Sequence, residues 1–159
     1  MGSAQYVRDH QDTLDEIRFD FSLDTLTPET ARGVAVMWAP AMRNLIDRSL
    51  RAAGRGGDVR DHYCQGSDYL PFMLQGIPAA RAADWEGRLP PWCHTPMDDA
   101  HNLPAHWIQL NAMTYAQLLL RLLTQDRPLP APRHSEEDIA ALVAHEGMGD
   151  YMRFLGLMG

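Results

Sequence analysis

A chain of 159 residues with 45% hydrophobic and 22% charged residues has the composition of one globular domain with a core large enough to fold. Its net charge of −7, with no basic block, argues against nucleic acid as a partner, and no apolar run is long enough to span a bilayer. All 14 basic residues are arginine, and the two cysteines, Cys64 and Cys93, are too few for a disulfide framework, which points to a reducing compartment.

Residues 1–16 read as a helix with Ser3 as its N-cap. From Ile17 to Asp24 apolar and polar residues alternate with period two, a strand signature, and Thr27-Pro28-Glu29 then turns the chain. Gly33 to Ala39 is a continuous apolar run, fitting a buried strand. Pro40 opens a helix at its favoured first position. Met42, Leu45, Ile46, Leu50 and Ala53 fall on one face of that helix, Arg43, Asp47, Arg48 and Arg51 on the other, and Gly54 stops it. Gly56-Gly57-Asp58 is a turn, and Val59 to Cys64 a short edge strand.

Ser67 or Asp68 caps a short helix running to about Gln75, with Pro71 in its first turn. Gly76 ends it, and Ile77 to Ala83 is a further strand; Asp84 to Cys93 is an irregular loop. Asn102 and Pro104 open the longest helix, through Leu123, with Trp107 or Ile108, Ala112, Tyr115, Leu119 and Leu122 as its apolar stripe and Gln109, Asn111, Gln117 and Arg121 as its polar side. Pro128 to Pro132 is a stiff extended linker. The acids after Ser135 mark a helix start, and Ile139 to His145 continues it. Tyr151 to Met158, rich in Met, Phe and Leu, either packs back on the domain or forms a dimer contact or a lid. The alternation of strands and helices predicts an α/β fold, a three-layer α/β/α arrangement around a mainly parallel sheet. Sites in such sheets gather at the C-terminal ends of strands, so Asp24 and His94 are expected to face one crevice.

Taken singly, the chemistry-bearing residues say little. Asp24 could be a strand-end turn residue, His94 a loop histidine, and Ser67 and Asp68 a helix cap. Their order is more specific: Ser22-Leu23-Asp24, then Ser67-Asp68-Tyr69-Leu70-Pro71-Phe72, Gly76-Ile77-Pro78-Ala79, and Cys93-His94-Thr95-Pro96-Met97-Asp98. This order resembles the second half of the co-catalytic di-zinc aminopeptidases, whose relatives include bacterial leucyl aminopeptidases, glutamate carboxypeptidases, glutaminyl cyclases and the non-catalytic transferrin receptors. Gly2-Ser3 before Tyr6-Val7 resembles the segment that follows the family's catalytic Glu-Glu pair.

The resemblance implies that residues 1–127 are the C-terminal half of such a domain, 128–134 a Pro-rich linker and 135–159 a helical extension. It implies Asp24 and His94 as metal ligands, one to each of two zinc ions. It implies Asp98 as the group that orients the histidine loop, Ser67 and Asp68 as support behind the site, and Tyr69 and Cys93 as substrate-pocket residues. The implied reaction is hydrolysis of an N-terminal peptide bond by a zinc-bound hydroxide with glutamate as general base, and the implied substrate a peptide.

The chain departs from the family in that no His-x-Asp motif, bridging aspartate or Glu-Glu pair precedes Asp24, whereas a catalytic zinc takes about three protein ligands. Cys93 replaces the aromatic residue, often tyrosine, that stabilises the oxyanion in many relatives. The expectation is therefore a partial di-zinc site, inactive alone and completed by a missing half, a partner chain or a second copy. A non-catalytic interaction module derived from the same fold stays open beside it. So does a Cys/His zinc site drawn from His62, Cys64, Cys93, His94, His101 and His106, whose spacing matches no standard finger. No signal peptide is recognisable; the expected location is cytoplasmic, or secreted if an upstream leader exists.

Overall fold

The computed structural model describes residues 2–24, 33–54, 58–63, 67–83, 85 and 91–157. Among them the elements run α1 (Gly2–Asp9), β1 (Asp20–Ser22), β2 (Gly33–Met37), α2 (Pro40–Ala52), β3 (Val59–Asp61), α3 (Leu70–Met73), β4 (Ala79–Ala83), α4 (Ala105–Leu123), α5 (Glu136–His145) and α6 (Gly149–Phe154). The fold is α/β, as the alternation predicts. The strands are ordered β1-β4-β2-β3, and β2 and β3 run parallel, with Val34 opposite Val59 and Val36 opposite Asp61. The chain forms two compact units: Met1–Ser22, Cys64–Ala80 and Ala131–Gly159 in the first, Leu23–Tyr63 and Arg81–Pro130 in the second. The predicted turns at 27–29 and 56–57, Cys64, and residues 84 and 86–90 of the predicted loop lie outside the described residues.

In the first unit the predicted helix 1–16 is broken. It stops at Asp9 and resumes as a single 3-10 turn, Leu14–Glu16. The break lets Leu14 join Val7 and Ile77 in a buried cluster that Ile17 and Phe72 flank. Ser3 does not cap α1, which already begins at Gly2; its hydroxyl donates instead to Asp68 Oδ1 at 3.3 Å. The predicted cap of α3 is corrected in the same way. Its N-cap is Tyr69, without a side-chain bond, and the Asp68 carboxylate accepts from Ser3 instead. The strand expected over Ile17–Asp24 pairs only through Asp20–Ser22, starting where the Asp20 N–H donates to Pro78 O at 3.0 Å.

The C-terminal extension is built locally as its sequence dictates. Ser135 and Asp138 form a reciprocal capping box that satisfies two otherwise orphaned N–H groups at the start of α5. Ile139, Leu142, Val143, Met148 and Met152 are buried, whereas Phe154 and Leu155 of the last segment stand exposed. Arg133 donates to Gln75 O at 2.9 Å and to Leu14 O, and the His134 N–H donates to Gly76 O at 2.9 Å. These bonds hold the extended approach to α5 against the turn after α3.

In the second unit β2 is buried along its whole length, the signature of a strand covered on both faces. Pro40 starts α2, and Gly54 leaves it at φ +73. Met42, Ile46 and Leu50 are the buried stripe, and α2 packs against α4. Tyr115 Oη donates to Gly33 O at 2.8 Å, tying α4 to the start of β2. The stripe on α4 is rotated from the predicted one. The buried residues are Asn111, Thr114, Tyr115, Leu118 and Leu122, while Ala112 is exposed and Leu119 half-buried. Consecutive leucines at 118–120 allow either register, and Thr114 fits the buried one because its hydroxyl donates to Leu110 O at 2.9 Å. Trp85 secures β3. Its indole donates to Asp58 O at 2.8 Å, the Arg60 guanidinium lies 4.7 Å from its ring centre, and His62 meets it edge-on.

Candidate metal centre

The loop carrying His94 is fixed by its own side chains. The His94 N–H donates to Asp98 Oδ2 at 3.0 Å. The Thr95 hydroxyl donates to Trp92 O at 2.6 Å and accepts from the Met97 N–H at 3.2 Å. Asp99 then accepts from the His101 N–H at 2.8 Å, and the Asn102 amide donates to Met97 O at 2.6 Å. The His-Thr-x-x-Asp spacing is thus a set of short-range bonds that an irregular segment otherwise lacks. The result holds His94 at φ +62, a left-handed conformation that L-residues avoid, with its side chain exposed. Cys93, its neighbour, is half-buried and not in a disulfide.

Asp24 lies just beyond the end of β1 at Ser22 and is exposed. It and His94 both belong to the second unit. Carboxylate oxygen and imidazole nitrogen are donors that zinc accepts. Their number is the difficulty: among the described residues, no group of three or more His, Cys, Asp or Glu side chains gathers around a point where an ion could sit. The donor types fit zinc, but the donor count does not complete a catalytic centre.

Ser67, Asp68 and Tyr69 belong to the first unit. Ser67 Oγ is buried and makes no hydrogen bond, Asp68 is exposed, and Tyr69 is fully buried. Beside Asp68 is a group that the sequence reading passed over. The Asp20 carboxyl is pushed up to about 6, first by burial and then by the negative charge of Asp68. Asp20 occupies the polar side of the period-two run 17–24. Polar positions of such a run face water only when one side of the sheet is bare. β1 is half-buried at every position, Asp20 included, so its polar side does not simply face water.

No curated protein matches the chain. Among solved structures, two of BSAP, a zinc aminopeptidase from Bacillus subtilis, are similar to it. One has a TM-score of 0.59 at 22% identity over 85% of this chain, the other 0.56 at 23% identity over 84%. At that identity the likeness establishes the fold. This chain covers 35% of the Bacillus chain in each case, about a third of its length. The family model described as Peptidase family M28 matches residues 1–119. With most of its length matched in this way, and with the α/β fold of a zinc aminopeptidase, the chain belongs to peptidase family M28.

Proposed function

We propose that this chain carries one part of the di-zinc site of an aminopeptidase-type metallopeptidase, with Asp24 and His94 each serving one zinc ion. The observation that carries the proposal is the His94 loop. A histidine is held exposed in a left-handed conformation by a side-chain network whose members are the residues of the His-Thr-x-x-Asp motif. Backbone strain of this kind persists where a site needs a side chain in one place. Asp98 has the orienting role, and Cys93 contributes to the substrate pocket. Bound zinc would supply an activated water for attack on a peptide carbonyl. The further ligands and the general base come from outside residues 1–127, so the chain by itself is inactive and its substrate is a peptide only when the site is completed. The helical extension from 135 onward lies outside the catalytic half.

A hydrolysis assay on an aminoacyl anilide with added zinc tests this. The chain alone gives no turnover above a metal-only blank, whereas a longer polypeptide that adds the remaining ligands turns over and loses activity on His94→Ala. Turnover by the chain alone that survives His94→Ala refutes the assignment. A second reading, a non-catalytic interaction module, draws on Cys93, since a thiol is a poor substitute for a phenol donor to an oxyanion.

A further inference from the structure

We propose that the cavity beside the first turn of α1 binds a free apolar α-amino acid in its zwitterionic form. The cavity has a volume of about 620 Å³, within the usual range for small-molecule sites. All its lining residues belong to the first unit, and neither Asp24 nor His94 is among them. Leu70, Tyr151, Leu155 and Leu157 are among its lining residues, and two opposite charges, Arg8 and Asp68, share that lining.

The charges select the ligand. Asp68 is exposed, and the hydroxyl of Ser3 that donates to it at 3.3 Å is a neutral and distant partner. An ammonium group would meet an acceptor there. Arg8 is exposed and donates to Gln5 Oε1 at 2.7 Å, a bond that engages one of the five N–H donors of a guanidinium. A carboxylate would match the fork that remains. A phosphate would be repelled by Asp68, a simple amine would leave Arg8 without its match, and a fatty acid would leave Asp68 without one. An apolar side chain completes the fit by covering Leu155, which stands 42% exposed.

Calorimetric titration of the full chain with L-leucine, in buffer containing a metal chelator, tests the proposal without any contribution from bound zinc. The expected result is saturable binding at one site. N-acetyl-L-leucine, which lacks the ammonium group, and L-leucinamide, which lacks the carboxylate, bind at least about tenfold more weakly, a difference of ~1.4 kcal/mol. Asp68→Asn should erase the distinction between leucine and its N-acetyl form, and Arg8→Gln the distinction between leucine and its amide. No saturable heat overturns the proposal. So do blocked analogues that bind the unsubstituted chain as well as leucine does, a comparison that needs no variant to fold.

Discussion

His94 sets a side chain's chemistry against the backbone's preference. Placing an L-residue in the left-handed region costs roughly 1–2 kcal/mol, which glycine does not incur. His94→Gly is therefore expected to raise the urea midpoint, by up to about 1 kcal/mol of stability, while removing the proposed zinc ligand. A drop in stability would show that the imidazole is a packing element. Asp98→Ala keeps the imidazole but removes the acceptor for the His94 N–H. Zinc affinity should fall about 10- to 100-fold, as it does when outer-sphere groups are lost. An unchanged affinity in a zinc competition titration would remove Asp98 from the site. This loop was legible in the sequence because the residues of the motif make its bonds over four positions or fewer. Ser3 and Asp68 were misread for the opposite reason. Cap propensity is a local rule, and these two side chains find each other across 65 positions of sequence.

Among the elements, β1 carries a pH dependence. The Asp20 carboxyl titrates at about 6 in the fold against 3.8 ordinarily, so the folded chain holds this proton more tightly than the unfolded chain. Stability is then greatest below the unfolded value, falls as pH rises from about 4 to about 6, and is flat above that as far as this group is concerned. The loss is on the order of 2 kcal/mol after allowance for partial solvent screening. Asp20→Asn should flatten this part of the curve in denaturant titrations run at several pH values; an unchanged slope would place the cause elsewhere. The turn after α3 is equally specific. Gly76 sits at φ +77, and an added Cβ would collide with the backbone oxygen of His134. Gly76→Ala is predicted to cost at least about 2 kcal/mol in thermal or chemical unfolding. The strands and α2 could be read from periodicity and punctuation, Gly76 among the punctuation. The register of α4 could not, because polar Asn111 is buried while Leu120 and Leu123 stand exposed.

For the molecule as a whole, the exposed apolar residues of α4, Met113, Leu120 and Leu123, stand on its solvent side, where a monomeric helix is ordinarily polar. Replacing Leu120 and Leu123 together by glutamine should change stability by less than about 0.5 kcal/mol each, because neither side chain is packed, and should reduce self-association in sedimentation experiments. A large loss of stability would mean that these leucines are covered in solution. No described helix is long and apolar enough to cross a membrane. The family and fold were legible because their motifs are spread along residues 1–119, and a partial site was expected from the missing His-x-Asp and Glu-Glu motifs, but the placing of Asp24 and His94 was not legible, since a zinc centre is assembled in space from residues distant in sequence. The chain spans about a third of the Bacillus enzyme that it resembles, and the central claim is that it holds part of a metal site. Zinc affinity and stoichiometry of the purified chain, measured against a chromophoric chelator beside His94→Ala and Asp24→Ala, test this most directly. The account predicts weak zinc binding that each substitution weakens further. Tight binding that is indifferent to both substitutions would contradict it.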